Sequence, residues 1–258
     1  MRKPERIQRI VETLRTQALG VSSIRELAGR LEVSEMTIRR DLELLARENV
    51  VRLVHAGAVL VAPEVSAPRY SLAEAGARMA EEKRRIGRRA AELIQPEDVV
   101  IVDSGSTTEC LVNAIPDGLP LTLICFSLNV LVAAHRNKQC RIVFAGGALH
   151  ENTLMFESPE GAQLIRRYRA NKAFLSASGV NDRLGVTCAN SYEVETKQAA
   201  IASSLERILV ADSSKFGRIH PSHFAELRDF STLVTDAGLP AESAESLRAA
   251  GVQVLIAG

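Results

Sequence analysis

Residues 33–51 read "VSEMTIRRDLELLARENVV". Ile38, Leu42 and Leu45 stand at offsets of zero, four and seven, which is one apolar stripe along a helix. Ser34 stands where a helix takes its N-cap. With the stripe turned inward, Met36, Thr37, Arg39 and Arg40 fall on or beside the outward surface near the helix N-terminus. Arginine pairs bidentately with guanine, and threonine reaches phosphate or a thymine methyl. The backbone amides at that end favour a phosphate.

The flanks support this reading. Upstream, Ile7, Ile10, Val11 and Leu14 give a first helix its stripe. A second opens with "SIRE", where Ser23 and Glu26 have capping-box spacing, and its stripe is Ile24, Leu27, Ala28 and Leu31. Only "EV" separates it from Ser34. Two short helices, a tight turn and a third capped helix have the order of a helix-turn-helix. Downstream lies "VVRLVHAGAVLV". Val51, Leu53 and Val59 suggest two short strands, with Ala56 and Gly57 at a hairpin turn where Gly57 takes positive φ. A hairpin after a helix-turn-helix makes a wing, and Arg52 and His55 are its expected polar contacts. The competing reading is a three-helix bundle whose arginines are only solvated. Two arginines alone do not separate the two. The caps, the short turn and the hairpin together favour DNA.

Composition adds little on partners. The formal net charge is +1 over 258 residues. Residues 1–60 hold 11 basic and 8 acidic side chains, the remainder 21 and 23, so the basic excess sits in the first segment. Cys110, Cys125, Cys140 and Cys188 form no CxxC pair and no zinc-ligand spacing with histidine, which fits a reducing cytosol and no metal. The longest apolar run, "LTLICFSLNVLVAA", is shorter than the roughly 18 residues of a spanning helix. A soluble, cytoplasmic protein without a membrane partner is expected, and no cofactor is called for.

Residues 61–74 begin "VAPEVSAPRYSL", with two prolines and no clear period, and are expected to link residues 1–60 to a second domain over 75–258. In that domain short apolar runs alternate with amphipathic segments. The runs are Val99–Val102, Leu121–Phe126, Arg141–Ala145, Ala173–Ser176, Ile208–Ala211, Leu233–Thr235 and Val252–Ile256. Helical patterns lie between most of them, as in 109–115, 129–135, 161–168 and 193–205. This is the pattern of βαβ units around a mainly parallel sheet.

Three loops follow such runs. In "VVIVDSGSTTECL", Asp103, Gly105, Ser106 and Thr107 stand between a strand and a helix. Small residues, hydroxyls and free amides there suit an oxyanion, and equally a plain N-cap. The loop is neither a Walker loop nor a GxGxxG fingerprint. In "AFLSASGVNDRLGVT", Gly179 and Asn181 lie just past a strand and either face the same crevice or form a turn. In "ILVADSSKFG", Lys215 can hold a phosphate or a sugar hydroxyl, or be solvated. Glu193 and Lys197, four apart in "NSYEVETKQAAI", would serve sugar hydroxyls and phosphate, or form a surface ion pair. Strand-end loops are where open α/β sheets bind ligands.

"VSEMTIRRDLELL" followed by "VHAGA" resembles the DNA-binding domain of the DeoR family of bacterial sugar-catabolism repressors. "DSGSTT", "AGGALH", "SASGVNDRLGVT", "EVETK" and "LVADSSKFGR" resemble its sugar-phosphate-sensing domain, so the resemblance covers nearly the whole chain. It implies an N-terminal winged helix-turn-helix followed by a Rossmann-like α/β domain similar to ribose 5-phosphate isomerase. It also implies that Ser34–Leu42 is the recognition helix. Gly105, Ser106 and Thr107 would hold a phosphate, and Asp103, Glu193 and Lys215 would line the sugar site. Ala56 departs from the family wing, which commonly has glycine there. "EEKRR", "CFSLNVLVA" and "HPSHFAELRDFSTLVTD" resemble one member in particular, which implies deoxyribose 5-phosphate as effector, with Tyr192 and Glu195 as points where preference would diverge.

The expected function is therefore a repressor that binds double-stranded operator DNA, as a dimer or higher homo-oligomer, and is released by a sugar phosphate. An acid near a lysine and a phosphate site can also move a proton, so a sugar-phosphate isomerase with a regulatory DNA-binding segment is the alternative. A third reading is a non-sensing adaptor whose second domain only oligomerises.

Overall fold

The computed structural model describes residues 3–16, 21–47, 51–54, 57–60 and 71–258. The chain divides into two compact units, residues 1–69 and 70–258.

The first unit contains α1 (Lys3–Thr16), β1 (Val21–Ser23), α2 (Ile24–Leu31), α3 (Glu35–Arg47), β2 (Val51–Val54) and β3 (Gly57–Leu60). The three apolar stripes meet in one core, where Ile10, Leu14, Leu27, Ile38, Leu42 and Leu45 are buried. Ser23 caps α2, its hydroxyl accepting from the Glu26 amide at 3.1 Å. The helix stops because Glu32 turns left-handed, at φ 52°, and Val33 N–H bonds back to Ala28 O at 3.1 Å. That turn is what lets α3 start only three residues later.

The hairpin is one strand larger than the sequence suggests. β1 pairs antiparallel with β3, giving the order β1-β3-β2. Gly57 is not a turn residue with positive φ but the first residue of β3, opposite both Val54 and Ser23. Its need for glycine is steric: a Cβ there would lie 2.1 Å from the Ser22 carbonyl oxygen.

The second unit opens with α4 (Leu72–Ala77) and α5 (Ala80–Ala91). Residues 71–74, expected to end a linker, instead begin this helix, with Ser71 capping Glu74 N–H and Leu72 buried. The proline-rich flank hides that serine–glutamate cap in the sequence. Then come β4 (Val99–Val102), α6 (Ser106–Ala114), β5 (Leu121–Cys125), α7 (Leu128–Ala134), β6 (Cys140–Phe144), β7 (Ala148–His150), β8 (Met155–Glu157) and α8 (Pro159–Arg167). After them come β9 (Ala170–Leu175), β10 (Gly179–Asn181), β11 (Gly185–Cys188), α9 (Val194–Ala202), β12 (Ser204–Val210), β13 (Ser222–Ala225), β14 (Thr232–Asp236), α10 (Ala241–Ala249) and β15 (Gln253–Ala257).

All seven expected strands join one parallel sheet in the order β15-β14-β12-β9-β4-β5-β6. The continuous apolar runs have a physical reason, because side chains alternate between two separate cores. Ile101, Ile124, Leu175, Leu209 and Leu233 enter one; Val100, Val102, Leu123, Phe174, Ile208 and Val234 enter the other. Both faces are covered, so neither set can be polar. This is a Rossmann-like arrangement. Successive strands run outward from β4 to β6, then return to β9 on the other side of β4, which puts the switch point between β4 and β9.

Candidate functional site

In the first unit, α3 presents the surface expected of a recognition helix. The Ser34 hydroxyl accepts from Thr37 N–H at 3.2 Å and lies 2.8 Å from the Thr37 hydroxyl. These two side chains therefore form the cap. Met36, Arg39 and Arg40 are exposed, and among the described residues no hydrogen bond or ion pair holds either arginine. The neighbouring Asp41 does the reverse. It is buried and takes a two-pronged bond from Arg6 of α1, at 2.6 and 3.3 Å. Sequence pattern missed this pair, since an aspartate beside two arginines reads as surface charge. Arg52 stands in β2 opposite Val59, and His55 lies outside the described residues.

In the second unit a pocket opens at the switch point. Ser104, Gly105, Ser106 and Thr107 line it from the β4–α6 loop, and Ser176, Ala177 and Ser178 from the end of β9. Glu193, Thr153, Lys215 and Lys83 complete the walls. Gly105 is the N-cap of α6 at φ 148°, a conformation that side chains rarely adopt. Its carbonyl accepts from the Thr108 hydroxyl at 2.9 Å and from the Asn129 amide at 3.2 Å, which fixes the loop.

Of the nine ligand residues expected from sequence, Gly105, Ser106, Thr107, Glu193 and Lys215 line this pocket. Asp103 and Lys197 do not. They lie directly beneath it, fully buried and bonded to each other. Asp103 also accepts from Ser104 N–H, Ser176 N–H and the Ser176 hydroxyl, at 2.8, 2.8 and 3.0 Å. Its role is to hold together the two loops that form the rim. Burial alone would lower the Lys197 pKa, but Asp103 and Glu193 outweigh it and the ammonium is held above its ordinary value.

Gly179 and Asn181 stand apart from the lining. Gly179 sits in β10, where a Cβ would meet the Arg218 carbonyl oxygen at 2.5 Å. Asn181 closes the β10–β11 hairpin, accepting from the amides of Arg183 and Leu184 at 3.0 Å. Asn181 thus serves the turn, and Gly179 the close approach of the Arg218 backbone. Tyr192 stacks on His150 with ring centroids 3.5 Å apart, and Glu195 pairs with Arg166 on the surface.

The pocket is lined by groups of both charge signs. Glu193 is buried, and burial pushes its carboxyl up against the opposing pull of Lys197. One carboxylate oxygen takes both the backbone and side-chain N–H of Asn190, at 3.1 and 2.9 Å. Burial lowers Lys215, opposed by Asp212 and helped by Arg218 and Arg78. Burial also lowers Lys83, with Lys215 adding to the effect and Asp212 again opposing. Two desolvated ammonium groups beside a helix N-terminus make a strong field for an oxyanion. Lys83 escapes a sequence reading because "EEKRR" looks like a solvated charge run. The one signal is spacing: Lys83 shares the inward stripe of α5 with Ile86, Gly87 and Ala90.

Comparison with known proteins agrees with both halves. A DeoR-like helix-turn-helix domain matches residues 6–64, and a DeoR C terminal sensor domain matches residues 78–237. The chain is 34% identical over 235 residues to the deoxyribose operon repressor of Escherichia coli (strain K12), covering 91% of each. It is 34% identical over 252 residues to the HTH-type transcriptional regulator YulB of Bacillus subtilis (strain 168), covering 97% of this chain and 95% of that one. Among solved structures, ribose 5-phosphate isomerase A from Methanocaldococcus jannaschii is similar over 54% of this chain and 55% of that one, with 15% identity and a TM-score of 0.40. A helix-turn-helix unit and an α/β unit with a strand-end pocket, each matched by its own domain model, place this chain in the DeoR family of transcriptional repressors.

Proposed function

We propose that the protein binds double-stranded operator DNA through α3 and releases it when a sugar phosphate fills the switch-point pocket. The observation that carries this is the lining itself, which combines the hydroxyls and ammonium groups of Ser106, Thr107, Lys83 and Lys215 with the carboxylate of Glu193. The first group suits a phosphate dianion, and a buried carboxylate suits sugar hydroxyls. Similarity to the deoxyribose operon repressor points to 2-deoxyribose 5-phosphate as the effector. Base reading falls to Arg39 and Arg40, with Met36 beside them. A homodimer would set two such helices about 34–36 Å apart on a two-fold site.

An isomerase is less well supported. The buried acid–lysine pair, Asp103 and Lys197, is sealed under the pocket floor rather than facing a substrate.

Weakening operator binding 100-fold requires the effector to favour the released state by about 2.7 kcal/mol. Charge-assisted hydrogen bonds of roughly 1.5–3 kcal/mol each supply energy of that order. The test is operator release titrated with 2-deoxyribose 5-phosphate in the parent, Lys215→Met and Ser106→Ala. Both variants should bind operator normally and fail to let go. Normal release by both would place the ligand elsewhere. Turnover of the sugar phosphate by the parent would revive the isomerase reading.

A further inference from the structure

Helix α4 is tied at both ends to residues of the pocket or next to them. At its start, Leu72 N–H donates to the Asn152 carbonyl at 2.9 Å. The Asn152 side chain accepts from the Tyr192 hydroxyl at 2.9 Å, and Tyr192 adjoins the pocket residue Glu193. In its last turn, Gly76 lies over Ser106, where a Cβ would stand 3.8 Å from the Ser106 Cβ. At its end, the Lys83 ammonium donates to the carbonyls of Ala75 and Arg78, the latter at 2.7 Å. Lys83 is thus both a wall of the pocket and the clamp on the last turn of α4.

Two further features bear on this arrangement. Met79, the joint between α4 and α5, is left-handed at φ 53° and ψ 38°. A side chain tolerates that region only when its surroundings impose it. The second feature is Asp212. It is fully buried, and its Oδ2 has no hydrogen-bond partner among the described residues, although Lys83 Nζ lies 3.7 Å away. A buried carboxylate oxygen without a donor is costly, and here the donor is a short movement away, held by two carbonyls.

We propose that Lys83 transmits the effector signal: a bound phosphate draws its ammonium off the Ala75 and Arg78 carbonyls, and the end of α4 is let go. In the released state Lys83 bridges the phosphate and Asp212, and Met79 leaves the left-handed region. Helix α4 is the first described element of the second unit in chain order. This rests on the reading of the pocket as a phosphate site.

The clamp and a plain phosphate ligand predict opposite phenotypes. If Lys83 only bound phosphate, Lys83→Met would behave like Lys215→Met, with normal operator binding and no release. As the clamp, Lys83→Met should bind operator at least tenfold more weakly with no ligand present. Operator affinity equal to the parent overturns the proposal. Met79→Gly, outside the pocket lining, makes the clamped joint easier to hold, and release should need about fivefold more 2-deoxyribose 5-phosphate or more. An unchanged release midpoint overturns the role of the joint.

Hydrogen exchange on the unmodified full-length protein guards against misfolded variants. Saturating 2-deoxyribose 5-phosphate should speed exchange at least tenfold at amides 75–79 and slow it at 106–110. Slower or unchanged exchange at 75–79, in protein whose Tm the ligand raises, overturns the clamp. If neither 2-deoxyribose 5-phosphate nor inorganic phosphate raises Tm, the phosphate reading itself falls. The clamp is then judged on the operator affinity of Lys83→Met alone.

Discussion

Asp103 and Lys197 meet beneath the pocket with both side chains fully buried, one from the end of β4 and the other from the middle of α9. Their pairing, with Ser176 bonded to the same carboxylate, locks the β4 and β9 loops at the switch point. Removing one partner leaves a buried charge uncompensated. Lys197→Met should therefore destabilise the protein by about 3–5 kcal/mol, read from urea unfolding. The double variant Asp103→Asn with Lys197→Met should recover part of that loss. A single-variant cost under about 1 kcal/mol would mean that the pair is hydrated like a surface bridge.

Arg39 and Arg40 are exposed and unpaired among the described residues, so alanine at both should leave the melting temperature nearly unchanged. Operator affinity should fall by roughly 1–3 kcal/mol for each arginine that reads a base, with selectivity relaxed at that position. Fluorescence anisotropy with the intact operator and with single-base variants measures both. Retention of affinity and selectivity by the double variant would remove α3 from base contact.

Effector binding should be pH-dependent on both sides. A phosphate dianion forms as pH rises through about 6, so affinity increases there. It binds protonated Lys83 and Lys215, whose burial holds both below the ordinary lysine value, so affinity falls on the alkaline side sooner than an exposed lysine would give. Lys215→Arg keeps its charge at all these pH values and should shift the alkaline limb upward. Titration calorimetry across this range is the check. Affinity that stays flat from neutral pH into the alkaline range would exclude the lysines from the phosphate.

Gly57→Ala tests the third strand of the wing. The added Cβ would stand 2.1 Å from the Ser22 carbonyl oxygen, which is backbone and cannot rotate away. Forced backbone shifts of this kind cost typically 1–3 kcal/mol. Operator binding should weaken along with the stability of the first unit, while effector binding to the second is unchanged. A variant as stable as the parent would show that β1 is not paired there.

Most of the framework can be read in the sequence, because it follows from local periodicity. The stripes of α1, α2 and α3, the serine caps and the seven apolar runs depend on neighbours within a few residues, and each sheet run is apolar because both faces are covered. The switch-point loops are equally visible, since Gly105, Ser106 and Lys215 directly follow strands. Only the tertiary structure decided what depends on residues far apart in sequence. Lys83 and Asp41 sit in charge-rich helices, and nothing local says that one meets Asp212 and the other Arg6. Asp103 and Lys197 have the residue types of a ligand site, yet 94 positions apart they close on each other and neither lines the pocket. Gly57 and Gly179 look like turn glycines, but each is required because another backbone segment passes too close for a side chain. Periodicity fixes which face of an element is buried. It does not say which charge waits on the other side, and in this protein those charges shape the pocket.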